Sequence, residues 1–154
     1  MNNGIMWFDP RPGRANSIAA GKQPLSNMCP AIVQESDGSR FTLGASGGRR
    51  IMSAVLQLIS FLVDFSMDPE SAMHQPRIDI SGNREVDFDT HLEPEIANQL
   101  LNRLDQAQPT SHGVFPSLFA CPSIARFGAK TRHCTGASFV YSPLAAAIAE
   151  NRID

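Results

Sequence analysis

From Ile51 to Phe65 the chain is apolar on nearly every side of a helical wheel, with Ile51, Met52, Val55, Leu56, Leu58, Ile59, Leu62, Val63 and Phe65 spread around it. A helix of this kind has no wide face to give to water, so it is expected to be buried on several sides, as between the layers of a sandwich. The run is too short to cross a bilayer and is interrupted by Gln57 and Asp64. Just ahead of it lie Gly47-Gly48-Arg49-Arg50, and ahead of those the segment Arg40 to Gly44. That order predicts a strand, a glycine turn and a buried helix. Two glycines at a helix start leave backbone N–H groups unobstructed, because the first turn has no internal acceptor for them. The helix dipole adds partial positive charge there. Such a place suits an anion, whether a phosphate or a developing oxyanion. With no ligand, the same residues are a tight strand-to-helix turn.

Around this centre the chain reads in order. Asn2-Asn3-Gly4 is a turn signal, followed by the apolar Ile5-Met6-Trp7-Phe8. Asp9 to Pro24 is a loop punctuated by Pro10, Pro12, Gly13, Gly21 and Pro24. A loop of that length in a compact domain is functional or covered by a partner. Ala31-Ile32-Val33 and Phe41-Thr42-Leu43 form a hairpin over Asp37-Gly38. Ser26 and Asn27 then stand at the entry of one strand and Gly47-Gly48 at the exit of its partner, which in an antiparallel hairpin is one end of the sheet. A short helix is expected over Pro69 to His74. Arg77 to Ile80 and Glu85 to Phe88 read as a second hairpin over Ser81-Gly82-Asn83. Pro94 to Gln106 reads as an amphipathic helix with Ile96, Leu100, Leu101 and Leu104 on its apolar side. Strands follow over Leu118 to Phe127 and Thr135 to Tyr141, joined through Gly128, and a short apolar helix over Ser142 to Ala147. The fold class is α+β with largely antiparallel sheets.

The chain has 154 residues, one domain or a piece of one. Charged residues make up 18%, below the ~25% usual for a soluble domain, which points to surface covered by another chain. Net charge is −2 with both signs interspersed and few aromatics, which argues against a nucleic-acid partner. Cys29, Cys121 and Cys134 are an odd number without framework spacing, so no disulfide scaffold is expected. Met1-Asn2-Asn3-Gly4 lacks the basic and apolar regions of a secretory signal, and the compartment stays open.

Ser26-Asn27-Met28 after Pro24-Leu25, then Gly44-x-x-Gly47-Gly48-x-x-Ile51, resembles the small subunit of the γ-glutamyltransferases, and Arg77-Ile78-Asp79 after Pro76 fits the same family. The resemblance covers nearly the whole chain and weakens after about Glu93. It implies a partial N-terminal-nucleophile hydrolase fold, an αββα sandwich, made by a precursor that cleaves itself into a large and a small subunit. The new N-terminal threonine of the small subunit is the nucleophile and its own amine the base. By the same resemblance Gly47 and Gly48 supply the oxyanion-hole N–H groups, and Ser26 and Asn27 hold the α-carboxylate of a γ-glutamyl donor such as glutathione. The family usually has serine at both positions, and the Asn27 amide can still donate a hydrogen bond. Where the family grips the donor's α-ammonium with a polar residue and an aspartate, this chain has Gly4 and Trp7, with Asp9 displaced by two residues. That loosens γ-glutamyl specificity and fits the related cephalosporin and glutaryl acylases.

Other residues have plainer readings. Ser26 can cap a turn, and Trp7 can be a packed aromatic rather than a substrate wall. Arg49-Arg50 could bind phosphate, or one could be solvated and the other paired with a carboxylate. Asp89-Thr90-His91 looks like the start of a catalytic threonine segment but lies in a loop after a strand, which makes it coincidence. Asp87, Asp89 and His91, or His133 with Cys121 and Cys134, have no recognised metal-ligand spacing, and no metal or organic cofactor is implied.

The chain is therefore expected to be one partial domain, residues 1–154, of an acyltransferase or amidohydrolase. Its partners would be the large subunit, the missing first strands of the small subunit, a γ-glutamyl or similar acyl donor, and an amino acid, peptide or water acceptor, with no membrane. The alternatives are an acylase part, a non-enzymatic anion-binding or structural module, and a non-functional product of an internal start. The nucleophile is expected upstream of Met1, so the isolated 154-residue chain should not turn over a γ-glutamyl anilide, which a release assay with the purified chain checks. An exposed sheet edge and a buried-type helix would make it sticky alone. Replacing Gly47 by proline would delete one N–H of the hole.

Overall fold

In the computed structural model, residues 4–82, 84–111, 119–139 and 145–148 are described. The elements in chain order are β1 (Ala31–Gln34), β2 (Arg40–Ser46), α1 (Ile51–Val63), α2 (Pro69–Met73), β3 (Ile78–Asp79), β4 (Val86–Asp89), α3 (Pro94–Arg103), β5 (Ala107–Thr110), β6 (Cys121–Phe127) and β7 (Cys134–Ser138). Single 3-10 turns occupy Gly4–Trp7 and Gly48–Arg50.

The larger sheet has the order β1-β2-β6-β7 and is antiparallel throughout, with Ala31 opposite Leu43, Leu43 opposite Ile124 and Ile124 opposite Ala137. Alternation along β2 sends Phe41 and Leu43 to one face, where α1 and α2 pack. The core is Phe41, Leu43, Val55, Leu58, Met73 and Ile124 with their neighbours, and Leu58 is wholly buried. The outer face carries small or polar residues such as Thr42, Gly44, Ser123 and Gly136, with Ile32 77% exposed.

The hairpin over Asp37-Gly38 forms as expected. Gly38 takes a φ of +87°, and the Asp37 carboxylate accepts from the Ser39 N–H at 2.8 Å. The buried Ser39 hydroxyl in turn accepts from Ala129 N–H at 3.0 Å, which locks this turn to the β6–β7 connection. α2 begins at Asp68, whose carboxylate accepts from the N–H groups of Glu70 and Ser71, both at 3.0 Å. The Ser71 hydroxyl, which donates to the same carboxylate at 2.5 Å, and these backbone bonds hold the Asp68 carboxyl below the usual carboxylate range.

The smaller sheet, β3-β4-β5, departs from the expected pure hairpin. β3 and β4 are antiparallel, with Ile78 opposite Phe88, but β5 lies parallel to β4. The segment Ala-Gln-Pro-Thr has no apolar alternation and contains Pro109, so nothing local marks it as a strand; it is tolerated because β5 is an edge. The free edge of β3 is closed by a side chain. Gln57 of α1 donates to the Ile78 carbonyl at 2.7 Å and accepts from the Ile78 N–H at 2.8 Å, as a neighbouring strand would.

Three further expectations are corrected. α1 is not covered on several sides: Ile51, Ala54, Val55, Leu58 and Leu62 are buried, while Met52 and Leu56 are 63% and 67% exposed. Its apolar composition gives it the capacity for further burial, but the described residues supply a single sheet beneath it. α3 ends at Arg103, short of Gln106, because the chain turns into β5, and none of its residues is buried. Ala145 to Ala147 are not helical, and Ala147 lies against Gly136 of β7 instead. The rest of that expected helix, Ser142 to Leu144, the ends of the last two expected strands at Leu118, Val140 and Tyr141, the turn residue Asn83 and the Asn2-Asn3 turn lie outside the described residues.

Arg77 is a buried cation, 2% exposed, between the two sheets. It donates to the Met73 carbonyl at 2.9 Å and the Phe119 carbonyl at 3.3 Å, and its guanidinium lies 5.2 Å from the Phe139 ring centre. Burial lowers its pKa, and the neighbouring Asp89 carboxylate opposes that shift.

Gln57→Leu leaves both backbone groups of Ile78 without a partner. It is expected to lower the unfolding free energy by about 2–4 kcal/mol, since each unsatisfied group costs roughly 1–3 kcal/mol. Chemical denaturation of the variant beside the parent checks this.

Candidate functional site

The pairing of Ala31 with Leu43 places the entry of β1 and the exit of β2 at the same end of the sheet. Ser26 and Asn27 precede β1, and Gly47 and Gly48 follow β2. The structure brings Asn27 to the glycine turn: its Nδ2 lies 3.8 Å from the position a Cβ on Gly48 would take. Its Oδ1 is buried and has no hydrogen-bond partner among the described residues. A buried carbonyl oxygen without a donor is costly, so this atom is prepared for one. Ser26 is exposed, and its hydroxyl accepts from the Met28 N–H at 3.2 Å. It caps the turn that presents Asn27.

Both glycines are required by the backbone. Gly47 has a φ of +146° and Gly48 one of +64°, conformations that side chains disfavour. A Cβ on Gly47 would stand 2.8 Å from Cα and Cβ of Ala120, so the chain crosses there at backbone contact. The Gly47 carbonyl accepts from Arg50 N–H at 3.3 Å, and the Gly48 carbonyl accepts from Ile51 N–H. With the Gly47 carbonyl turned into the helix start, the N–H on the other side of the same planar peptide unit, that of Gly48, points away from it. Proline, with its φ near −65°, cannot occupy Gly47. The proline substitution would therefore break the turn as well as remove an N–H.

The two arginines that follow divide their roles. Arg50 Nε lies 3.4 Å from the buried Asp79, and Arg49 is exposed. Asp79 is further held by the Ser81 N–H at 3.2 Å and the Ser81 hydroxyl at 2.6 Å. Gly47, Arg49, Arg50, Ser81 and Gly82 together line an open pocket of about 320 Å³. On the other flank Cys121 pairs with Ser46 across the sheet. Burial pushes the Cys121 thiol up, against the opposing pull of Arg77 and the Ser46 hydroxyl. A thiol raised in this way stays protonated near neutral pH and is a poor nucleophile.

The remaining sequence candidates sit elsewhere. Both carboxylate oxygens of Asp9 are engaged by Arg11, at 3.0 and 2.9 Å, which lowers the Asp9 pKa. Trp7 is half-buried in the 3-10 turn, and its carbonyl accepts from Asn16 Nδ2 at 2.6 Å. Asn16 also accepts from Leu25 N–H at 2.9 Å, and so ties Trp7 to the approach to Ser26. The Asp89 carboxylate accepts from the His91 N–H at 2.9 Å and lies 2.8 Å from its Nδ1. Thr90 is internal, donating to the Thr110 carbonyl at 3.3 Å. Among the described residues no group of three or more His, Cys, Asp or Glu is placed to hold a metal ion. What sequence reasoning missed is Ala120, whose approach to Gly47 spans the chain and leaves no local signal. It did anticipate that one arginine pairs with a carboxylate, without naming Asp79.

The sequence pattern of the gamma-glutamyltranspeptidase family matches residues 1–120. The glutathione hydrolase proenzyme of Bacillus subtilis (strain 168) is 40% identical over 78 residues, 51% of this chain and 13% of that protein. The acylase ACY 1 proenzyme of Pseudomonas sp. (strain V22) is 34% identical over 102 residues, 66% of this chain and 18% of that protein. The chain thus spans less than a fifth of the length of these relatives. A mutant of the Helicobacter pylori gamma-glutamyltranspeptidase superposes with a TM-score of 0.71 at 24% identity, covering 92% of this chain and 81% of that one. The fold is that of part of an N-terminal-nucleophile hydrolase, α+β with largely antiparallel sheets. On the match of its residues 1–120, this chain belongs to the gamma-glutamyltranspeptidase family.

Proposed function

We propose that this chain forms the oxyanion and donor-binding side of an acyl-transfer centre acting on γ-glutamyl amides such as glutathione. The observation that carries the reading is the juxtaposition of Asn27 with the Gly47–Gly48 turn, where an amide whose acceptor has no partner among the described residues stands beside two glycines at a helix start. Gly47 and Gly48 N–H hold the tetrahedral oxyanion, each such donor contributing about 3–4 kcal/mol to the transition state. Asn27 Oδ1 accepts an N–H of the donor's amino-acid end, and Nδ2 donates to its carboxylate. The Ser26 oxygen accepts from Met28 N–H and so fixes the Asn27 turn, and its O–H can still donate to the same carboxylate.

The nucleophile is an N-terminal threonine on a segment outside these residues, held by the large subunit and the first strands of the small subunit. Its oxygen attacks the amide carbon, the C–N bond breaks, and the leaving amine takes a proton from the threonine's own amine. An incoming amine or water then forms the new bond as the ester C–O bond breaks, returning the proton to the threonine oxygen. No metal or organic cofactor enters this scheme. One observation favours acylase specificity as a second reading: Asp9, the nearest candidate for the donor's ammonium, is already neutralised by Arg11. A glutaryl amide needs no such carboxylate, whereas a γ-glutamyl amide does.

In the protein as its gene encodes it, release of nitroaniline from a γ-glutamyl anilide, with a threonine acyl-enzyme trapped for mass spectrometry, is the expected result. Preferential release from a glutaryl anilide would select the acylase reading, and release from neither would overturn both. Asn27→Ala is expected to raise the donor KM about tenfold, the loss of one charge-assisted contact, with a smaller effect on kcat. Gly48→Ala has room for its Cβ and acts through the backbone. It is expected to lower kcat by about 100-fold by turning one N–H out of line.

A further inference from the structure

Ala120 stands in a conformation that alanine rarely takes. Its φ is +60°, in the left-handed region, and the residue is wholly buried. Among the described residues only Ser66 and Arg132 share that conformation without being glycine, and both are exposed. A left-handed alanine is unfavourable because its Cβ crowds the following carbonyl oxygen. It persists only where its surroundings over-determine it, and such places gather at functional sites. Here both neighbours of Ala120 are held. The Phe119 carbonyl, which shares a planar peptide unit with the Ala120 nitrogen, accepts from Arg77 Nε at 3.3 Å. Arg77 is itself anchored on the Met73 carbonyl at 2.9 Å and over the Phe139 ring. On the other side Cys121 opens β6 and pairs with Ser46. The residue clamped in this way faces Gly47, where a Cβ would lie 2.8 Å from both the Cα and the Cβ of Ala120.

We propose that Ala120 is a positioning residue for the acyl-transfer centre: its clamped backbone and methyl group stand against Gly47 and so fix the peptide unit that carries the Gly48 N–H. This role rests on the acyl-transfer function proposed above. The Gly47–Gly48 peptide unit turns about the bonds at the Gly47 Cα, and a glycine there turns freely unless something stands against that carbon. The Gly47 carbonyl gives one restraint, accepting from Arg50 N–H at 3.3 Å, a length that leaves play. Ala120 gives the other, at the carbon about which the unit would rotate. An oxyanion donor must be fixed before charge develops, since a donor that reorients during the reaction loses part of its stabilisation. Glycine at position 120 would take the same φ without strain, yet it would bring no methyl group to Gly47 and would leave its own backbone free to move. The contact with Gly47 explains why alanine stands where glycine is the easier residue.

Ala120→Gly, made in the protein as its gene encodes it, tests this role. Glycine accepts a φ of +60°, so the variant folds, with a thermal midpoint expected within about 5 °C of the parent's. With a γ-glutamyl anilide, kcat is expected to fall about tenfold while the donor KM stays within about twofold, the pattern of an interaction made only in the transition state. Rates are taken per mole of exposed N-terminal threonine, counted by N-terminal sequencing, so that incomplete maturation does not enter them. A boronic-acid analogue of the donor, whose adduct on the threonine is tetrahedral and anionic, should bind the variant about tenfold more weakly, while glutamate binds as before. Unchanged kcat and boronate affinity would overturn the positioning role and leave the proposed function standing. So would a loss shared by KM, glutamate binding and the thermal midpoint, which marks a purely structural residue. Absence of anilide release by the parent protein would overturn both.

Discussion

The backbone crossing of Gly47 over Ala120 is the contact on which the site depends. At 2.8 Å from a would-be Cβ, it admits no side chain at position 47. It joins two segments far apart in sequence, the exit of β2 and the entry of β6, just where Ser46 pairs with Cys121. The crossing sets the direction in which the chain leaves the sheet and enters α1. It therefore also sets where the N–H groups of the turn point. A substitution at Ala120 to anything larger would press on the same crossing from the other side.

Around this contact the structure spends buried polarity on holding elements in place. Arg77 joins the end of α2, the Phe119 carbonyl and the Phe139 ring. It steadies the segment that carries Ala120. Gln57 joins α1 to β3, and Asp79 of β3 in turn holds Arg50 at the start of α1. The first half of α1 is thus tied to the small sheet at two points about two turns apart. These ties convert a flexible glycine turn into a fixed one, which a preorganised anion site requires.

Asn27 departs from this pattern, and that makes it informative. Its buried oxygen lacks a partner among the described residues, while comparable groups at Ser39, Asp79 and Gln57 are satisfied. Orphaned acceptors of this kind concentrate where a ligand completes the network. The apolar faces left open on α1 and α3, at Met52, Leu56, Ile96 and Leu101, agree with the low charged fraction of the sequence.

The sequence by itself determined the local elements and their order. The Asp37-Gly38 hairpin, the glycine turn into α1, the capped α2 and the meeting of Asn27 with Gly48 were legible because periodicity, turn chemistry and hairpin geometry act over a few residues. The family motifs at Ser26-Asn27 and Gly47-Gly48 were legible for the same reason. Tertiary structure alone decided the rest: that Ala120 closes on Gly47, that Asp79 rather than another carboxylate takes Arg50, that Ala-Gln-Pro-Thr becomes a parallel edge strand, and that Arg11 occupies Asp9. In the long-range cases the energy comes from contacts between residues tens of positions apart, which leave no periodic trace in the chain. In the last, the bidentate pair lies two residues apart in a turn where the Arg11 N–H also bonds the Asp9 carboxylate, one of several turns that the loop's prolines and glycines allow.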